Sequence, residues 1–209
     1  MSEVLNGPEA RAHRLKLMGG EWPDGCESCK DFEGLGVRST RQIGRDSLDV
    51  DSLIKDYDPV TGEIKHARSI ELRFGNECNL SCRHCGPAFS SRWEALERLH
   101  PNILKDGLGR DHEPHAYSTV QGYHRDIIDN LVPHLTEIMF SGGETLYQKA
   151  HYEFLDQIPS DHAKHISLFY VTNGTVTGIK SYDVIKIWRR FKNRSEERRV
   201  GKECLRLCR

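Results

Sequence analysis

An α/β fold with parallel strands is predicted for this chain of 209 residues, because short strand-like runs alternate with helical stretches. Ser69–Phe74 alternates apolar and polar residues, the two-residue period of a half-buried strand. Thr136–Phe140 is a short apolar run ending at Ser141, and His165–Val171 is rich in β-branched and aromatic residues. Helices are expected between and after these strands, over 88–99, 122–132, 147–158 and 181–192. Trp93, Leu96 and Leu99 share one face of the first of them.

Residues 1–65 read as a polar N-terminal extension with a helix expected over Glu9–Met18 and few apolar runs. It holds Cys26-Glu27-Ser28-Cys29, a C-x-x-C pair. Three readings stand open for Cys26 and Cys29: half of a second metal site, a redox pair, or two reduced thiols in a turn. Residues 66–193 carry the strand and helix alternation. Between its first two helices, His100–Thr119 is polar and punctuated by glycine and proline, an insertion or substrate-side loop. His112 and His115 read there as solvated residues rather than ligands.

Directly after the first strand, Cys78, Cys82 and Cys85 follow the spacing C-x-x-x-C-x-x-C. Thiolates suit iron–sulfur clusters and zinc. Zinc in a structural site closes with four ligands, and His84, caught between two of the cysteines, would strain the loop to supply the fourth. Three thiolates on a cluster of four irons leave one iron open to a substrate. The second strand runs into Gly142-Gly143-Glu144, where glycines permit close approach of the backbone and a carboxylate is free to accept from an ammonium group. Taken alone, that segment reads first as a strand-to-helix turn with Glu144 complementing a helix dipole, and its place downstream of the cysteine triplet reverses that order. The third strand ends in Thr172-Asn173-Gly174, which alone signals a hairpin returning through Thr175–Thr177. Strand and helix alternation favours a crossover instead.

The cysteine triplet, with His84 in the aromatic position before its last cysteine, resembles the signature of the radical S-adenosylmethionine superfamily. That resemblance implies an incomplete (β/α) partial barrel for residues 66–193. It implies a 4Fe-4S cluster on Cys78, Cys82 and Cys85, and S-adenosylmethionine bound at the open iron. The methionine amino group would be held by Gly142, Gly143 and Glu144, with Asn173 and His84 on the cofactor side. One electron, from an external reductant such as flavodoxin or ferredoxin, would release a 5′-deoxyadenosyl radical that takes hydrogen from a substrate. A peptide or protein substrate is expected by analogy with related maturases. The string W-x-x-G-C-x-x-C-x-x-x-E-x-x-G-x-x-S-x-R, from Trp22 to Arg41, is similar to the N-terminal segment of members with a twitch domain. The twitch region itself and the later barrel strands are expected to be missing from this chain. With three strands and an open edge, the chain is expected to be aggregation-prone and inactive.

Residues 194–209 read back into codons that resemble a widely used sequencing adapter, so Cys204 and Cys208 are expected to be chance thiols outside the native protein. A net charge of −1 offers no basic field for nucleic acid. No apolar run is long enough to span a membrane, and Met1–Glu9 lacks the apolar core of a secretory signal. Seven cysteines, an odd number, suit a reducing cytoplasm. A non-catalytic iron–sulfur or zinc module for electron transfer is the alternative function.

Overall fold

Pro8, whose missing N–H is no loss at a first turn, and Glu9 at the positive end start helix α1 over Pro8–Met18. The computed structural model describes residues 5–47, 50–83, 85–100, 121–180 and 182–197. The chain divides into two units, Met1–Ala67 and Arg68–Arg209. The first is more helical than its composition suggests: α1 is followed by α2 (Glu27–Gly34), α3 (Thr40–Ser47) and α4 (Val50–Asp56). Each of these is about two turns long, too short for apolar periodicity to register. Polar contacts tie the unit together. Arg14 donates to Gly62 O at 2.8 Å and to Leu5 O, and Asn6 Nδ2 donates to Ile64 O at 2.9 Å.

In the second unit Ser69–Arg73 forms strand β1, with Ile70 and Leu72 turned to its more buried side. Helices α5 (Ser91–Leu99) and α6 (Gln121–Asn130) follow, then β2 (Glu137–Ser141). Next come α7 (Lys149–Gln157), α8 (Ser160–Ala163) and β3 (Ser167–Val171). β1, β2 and β3 are parallel and adjacent, with Ser69 opposite Glu137 and Glu137 opposite Ser167. Among the described residues the sheet is open, with no closed barrel. His112, His115 and the polar stretch 101–120 lie outside the described residues, as does His84.

After β3 the structure departs from the expected helix over 181–192. Gly178–Ile179 (β4) and Tyr182–Asp183 (β5) pair antiparallel, and the helix is shortened to α9, Val184–Trp188. The reason is local: Lys180 sits at φ 44° in the intervening turn, and Asp183 caps α9 by accepting from Ile185 N at 2.9 Å. Thr175–Thr177 does not return along β3 as a hairpin strand; the neighbour of β3 is instead β6, Asn193–Glu197, running parallel. The expected open edge at β3 is therefore filled, and by residues that overlap the stretch read as adapter-derived. Backbone pairing explains this, because an edge strand presents N–H and C=O groups that an extended neighbour satisfies whatever its side chains.

The core lies between the sheet and the helices on one face. Ile138, Phe140, Leu168 and Tyr170 meet Tyr152, Phe154 and Leu155 of α7, all buried. Within it Trp188 Nε1 donates to Tyr170 Oη at 2.9 Å, and His151 Nε2 shares a hydrogen bond with the same hydroxyl at 3.0 Å. Burial pushes the His151 pKa down to about 3, so the ring is neutral in the fold. The folded state resists a proton that the unfolded chain accepts, so stability is complete above the ordinary histidine value and lost as pH falls below it. Between pH 7 and pH 5 the protein should lose about 2 kcal/mol more than a His151→Phe variant, measured by urea unfolding. Equal losses would show that His151 does not titrate with unfolding.

Candidate functional site

The C-terminal ends of β1, β2 and β3 bring the three motifs of the sequence together. Beyond β1 the loop carrying Cys78, Cys82 and Cys85 is clamped by the start of α5. Asn76 Nδ2 donates to Pro87 O at 3.0 Å and to Glu94 Oε2 at 2.8 Å. Cys78 N donates to Ser91 Oγ at 3.2 Å, Ser90 Oγ to Leu80 O at 2.9 Å, and Trp93 Nε1 to Cys82 O at 2.8 Å. None of the three cysteines is in a disulfide; Cys82 is buried, and Cys78 and Cys85 are half-buried.

The Cys78 sulfur accepts from two N–H groups, Leu80 N at 3.5 Å and Asn173 Nδ2 at 3.9 Å. Burial pushes its thiol up, the backbone donor at Leu80 opposes this, and Glu144 adds to the rise.

Gly142 and Gly143, at φ 83° and φ 59°, turn the chain back from β2 toward this loop. A Cβ on Gly143 would stand 2.3 Å from Glu77 O, so the two backbones meet with no room for a side chain. The contact is sealed by Glu144 N donating to Glu77 O at 2.8 Å. Gln148, which the sequence pattern does not single out, donates through Nε2 to Gly142 O at 3.1 Å and to Gly75 O and Glu77 O, each at 3.3 Å. Gly143→Ala is expected to lower stability by about 2 kcal/mol or more through the left-handed backbone and this clash. Hydrogen exchange should then quicken over residues 75–86, and unchanged protection there would contradict the tight approach.

Glu144 is fully buried, and its carboxylate is already engaged. Oε1 accepts from Thr172 Oγ1 at 2.6 Å and Leu146 N at 3.2 Å, and Oε2 accepts from Asn173 N at 2.6 Å. Burial raises its pKa, and the three donors, Thr172 first, pull against that rise. Glu144 therefore caps the turn over Thr145–Tyr147 and ties the end of β2 to the end of β3. A carboxylate offers about four acceptor positions, so one remains on Oε2.

Asn173 closes the set: its Nδ2 donates to Asn79 Oδ1 at 2.9 Å as well as to the Cys78 sulfur. The structure thus joins Cys78, Glu144 and Asn173 in one hydrogen-bonded cluster. Thr172, from the Thr-Asn-Gly motif, completes it together with Asn79 and Gln148, which had no sequence signal beyond their neighbourhood to a motif. No protein-family model, no curated protein and no solved structure matches this chain.

Two buried acceptors beside the cluster have no hydrogen-bond partner, Gln148 Oε1 and Thr145 Oγ1. Gln148 also lines a cleft of about 980 Å³ at the end of β1, together with Gly75, Asn76, Glu77 and Lys149. Unsatisfied acceptors at a strand end suit a ligand that brings N–H donors. The donor set fits a cluster as well: three thiols on one loop, one of them already receiving N–H bonds of the kind that tune cluster sulfurs. Among the described residues no three His, Cys, Asp or Glu side chains are gathered about a single ion. A cubane distributes its thiolates over different irons, so it asks for a wider triplet than one ion does. Cys26 and Cys29 lie in the other unit, at the start of α2.

Proposed function

We propose that this chain is a radical S-adenosylmethionine protein whose Cys78, Cys82 and Cys85 hold a 4Fe-4S cluster. The observation that carries the reading is the convergence of the cysteine loop, Gly142–Glu144 and Asn173 at the ends of three adjacent parallel strands. Ligands of α/β sheets bind outside the carboxyl ends of the strands. The sheet order and the outer helices suit one part of a (β/α) barrel.

When bound, the cluster would supply one electron to S-adenosylmethionine and so generate a 5′-deoxyadenosyl radical. This chain's residues do the positioning. The clamp from Asn76, Ser90, Ser91 and Trp93 holds the loop, and the Cys78 sulfur is steadied by Leu80 N and Asn173. Gln148 Oε1 and the remaining position on Glu144 would accept from the ammonium of the methionine moiety. The two glycines let the cysteine loop lie directly against the end of β2. An external flavodoxin or ferredoxin would deliver the electron, and a peptide or protein is the proposed substrate.

Anaerobic reconstitution with iron and sulfide tests the reading. A brown protein whose cluster spectrum changes on adding S-adenosylmethionine, and which forms 5′-deoxyadenosine under dithionite, is the expected outcome. A colourless protein with stoichiometric zinc would replace it with a structural metal module.

A further inference from the structure

A guanidinium at the end of β1 is pinned along one edge and open along the other. Arg73 stands opposite Ser141 in the β1–β2 register, and Glu71 lies two residues back on the same face. Arg73 Nε donates to Glu71 Oε1 and to Ser141 Oγ, each at 2.9 Å, and Nη2 donates to the same Oε1 at 2.8 Å. Ser141 Oγ donates to that oxygen as well. Ser141 first, and Arg73 after it, hold the Glu71 carboxyl below the usual carboxylate range. The guanidinium also lies over the Phe89 ring, 5.3 Å from its centroid.

Carboxylate, hydroxyl and ring together fix the plane of the fork. Glu71 and Ser141 occupy its Nε side. Nη1 and the second hydrogen of Nη2 have no partner among the described residues. The Arg73 side chain keeps 46% of its surface exposed.

Arg73 lines the same cleft as Gln148. The two side chains meet at one contact between glycines. A Cβ on Gly142 would stand 3.3 Å from Arg73 Cβ and 3.0 Å from Gly75 O. Gln148 Nε2 donates to Gly142 O and to Gly75 O. Gln148 is buried, 3% exposed, and its Oε1 has no hydrogen-bond partner. One cleft thus holds a buried acceptor without a donor and a fixed fork of donors without an acceptor. Their complement is a ligand with an ammonium and a carboxylate on neighbouring atoms, the α-amino-acid group.

We propose that Arg73 holds the carboxylate of an α-amino-acid group whose ammonium is accepted by Gln148 Oε1. This rests on the acceptor role given to Gln148 above and not on the cluster, so it is read on cluster-free protein. Two sources carry the group: the methionine end of S-adenosylmethionine, and a free amino acid taken as substrate.

The cluster-free full chain is titrated by calorimetry with three probes. L-methionine carries both groups, L-methioninamide lacks the carboxylate, and hexanoate lacks the ammonium. Methionine should bind about tenfold or more tightly than either of the others, the worth of one charge-assisted pair. Arg73→Gln should weaken methionine by about that factor and bring it level with methioninamide. Arg73→Lys should recover part of the preference. S-adenosylmethionine displacing methionine would assign the subsite to the cofactor, and methionine left undisturbed by it would assign the subsite to an amino-acid substrate. Circular dichroism checks the variants, and the wild-type preference for methionine over methioninamide decides if they fail to fold. Equal binding of those two probes, binding of neither, or a preference that survives Arg73→Gln would overturn the proposal. A preference that holds in a protein unable to take up iron and sulfide would sink the iron–sulfur reading alone.

Discussion

Alanine at Cys78, Cys82 or Cys85 is expected to abolish iron–sulfur binding outright, leaving the reconstituted protein colourless. In the proposed cluster each cysteine would supply one of three loop thiolates, and a cubane already open at one iron would lose its hold when a second iron is stripped. The fold should persist, since the backbone clamp runs through Asn76, Ser90, Ser91 and Trp93 and involves no thiol. The largest packing loss falls at Cys82, the buried member, and is small beside a deleted core aromatic. Iron content together with circular dichroism separates the two effects. A variant that keeps full iron and its visible spectrum would remove that cysteine from the ligand set.

Glu144→Gln is expected to act on stability as well as on cofactor binding. The carboxylate is fully buried and accepts three hydrogen bonds, from Thr172, Asn173 and Leu146. An amide keeps one acceptor oxygen. With that oxygen serving Thr172 and Leu146, its NH₂ faces Asn173 N–H, donor against donor. An unmet buried donor of this kind costs about 1–3 kcal/mol. Urea unfolding of cluster-free protein should show a loss of that order, and iron loading should survive because no thiol has moved. Affinity for S-adenosylmethionine should fall on the reconstituted protein. Unchanged stability would mean the latch between β2 and β3 is not closed in solution, and unchanged affinity would remove Glu144 from the cofactor site.

Much of the sheet was legible in the order of residues. The expected strands 69–74, 136–141 and 165–171 match β1, β2 and β3 to within two residues at each end. Runs such as Ile138–Phe140 and Leu168–Tyr170 are buried at alternate positions, and that burial is what their apolar pattern records. Helix α7 carried a usable pattern for the same reason, with Tyr152, Phe154 and Leu155 buried, whereas α5 matches its expected span yet leaves Leu96 and Leu99 exposed. Helices α2, α3 and α4 did not, because each spans about two turns and buries little. The β4–β5 pair was masked by residues that also suit a helix start, and only the turn at Lys180 shows which applies. β6 left no signal, and its place is set by backbone pairing along the edge of β3.

Glu144 is the most instructive residue of the site. Its type and place after β2 suggested a carboxylate open to an ammonium, and in the fold it is a buried latch with one acceptor position left. The partners that engage it, Thr172 and Asn173, lie 28 and 29 residues away, so no local spacing could announce them.

Chemistry that depends on neighbours along the chain was settled by residue order: three thiols on one loop, two glycines before a carboxylate, two cysteines one helical turn apart. Chemistry that depends on neighbours across the sheet was settled by folding. Asn173 and Cys78 are 95 residues apart, and only the parallel register of β1, β2 and β3 sets one beside the other. The reason is that covalent geometry limits direct reach to a few residues, while strand pairing fixes which distant ends share an edge.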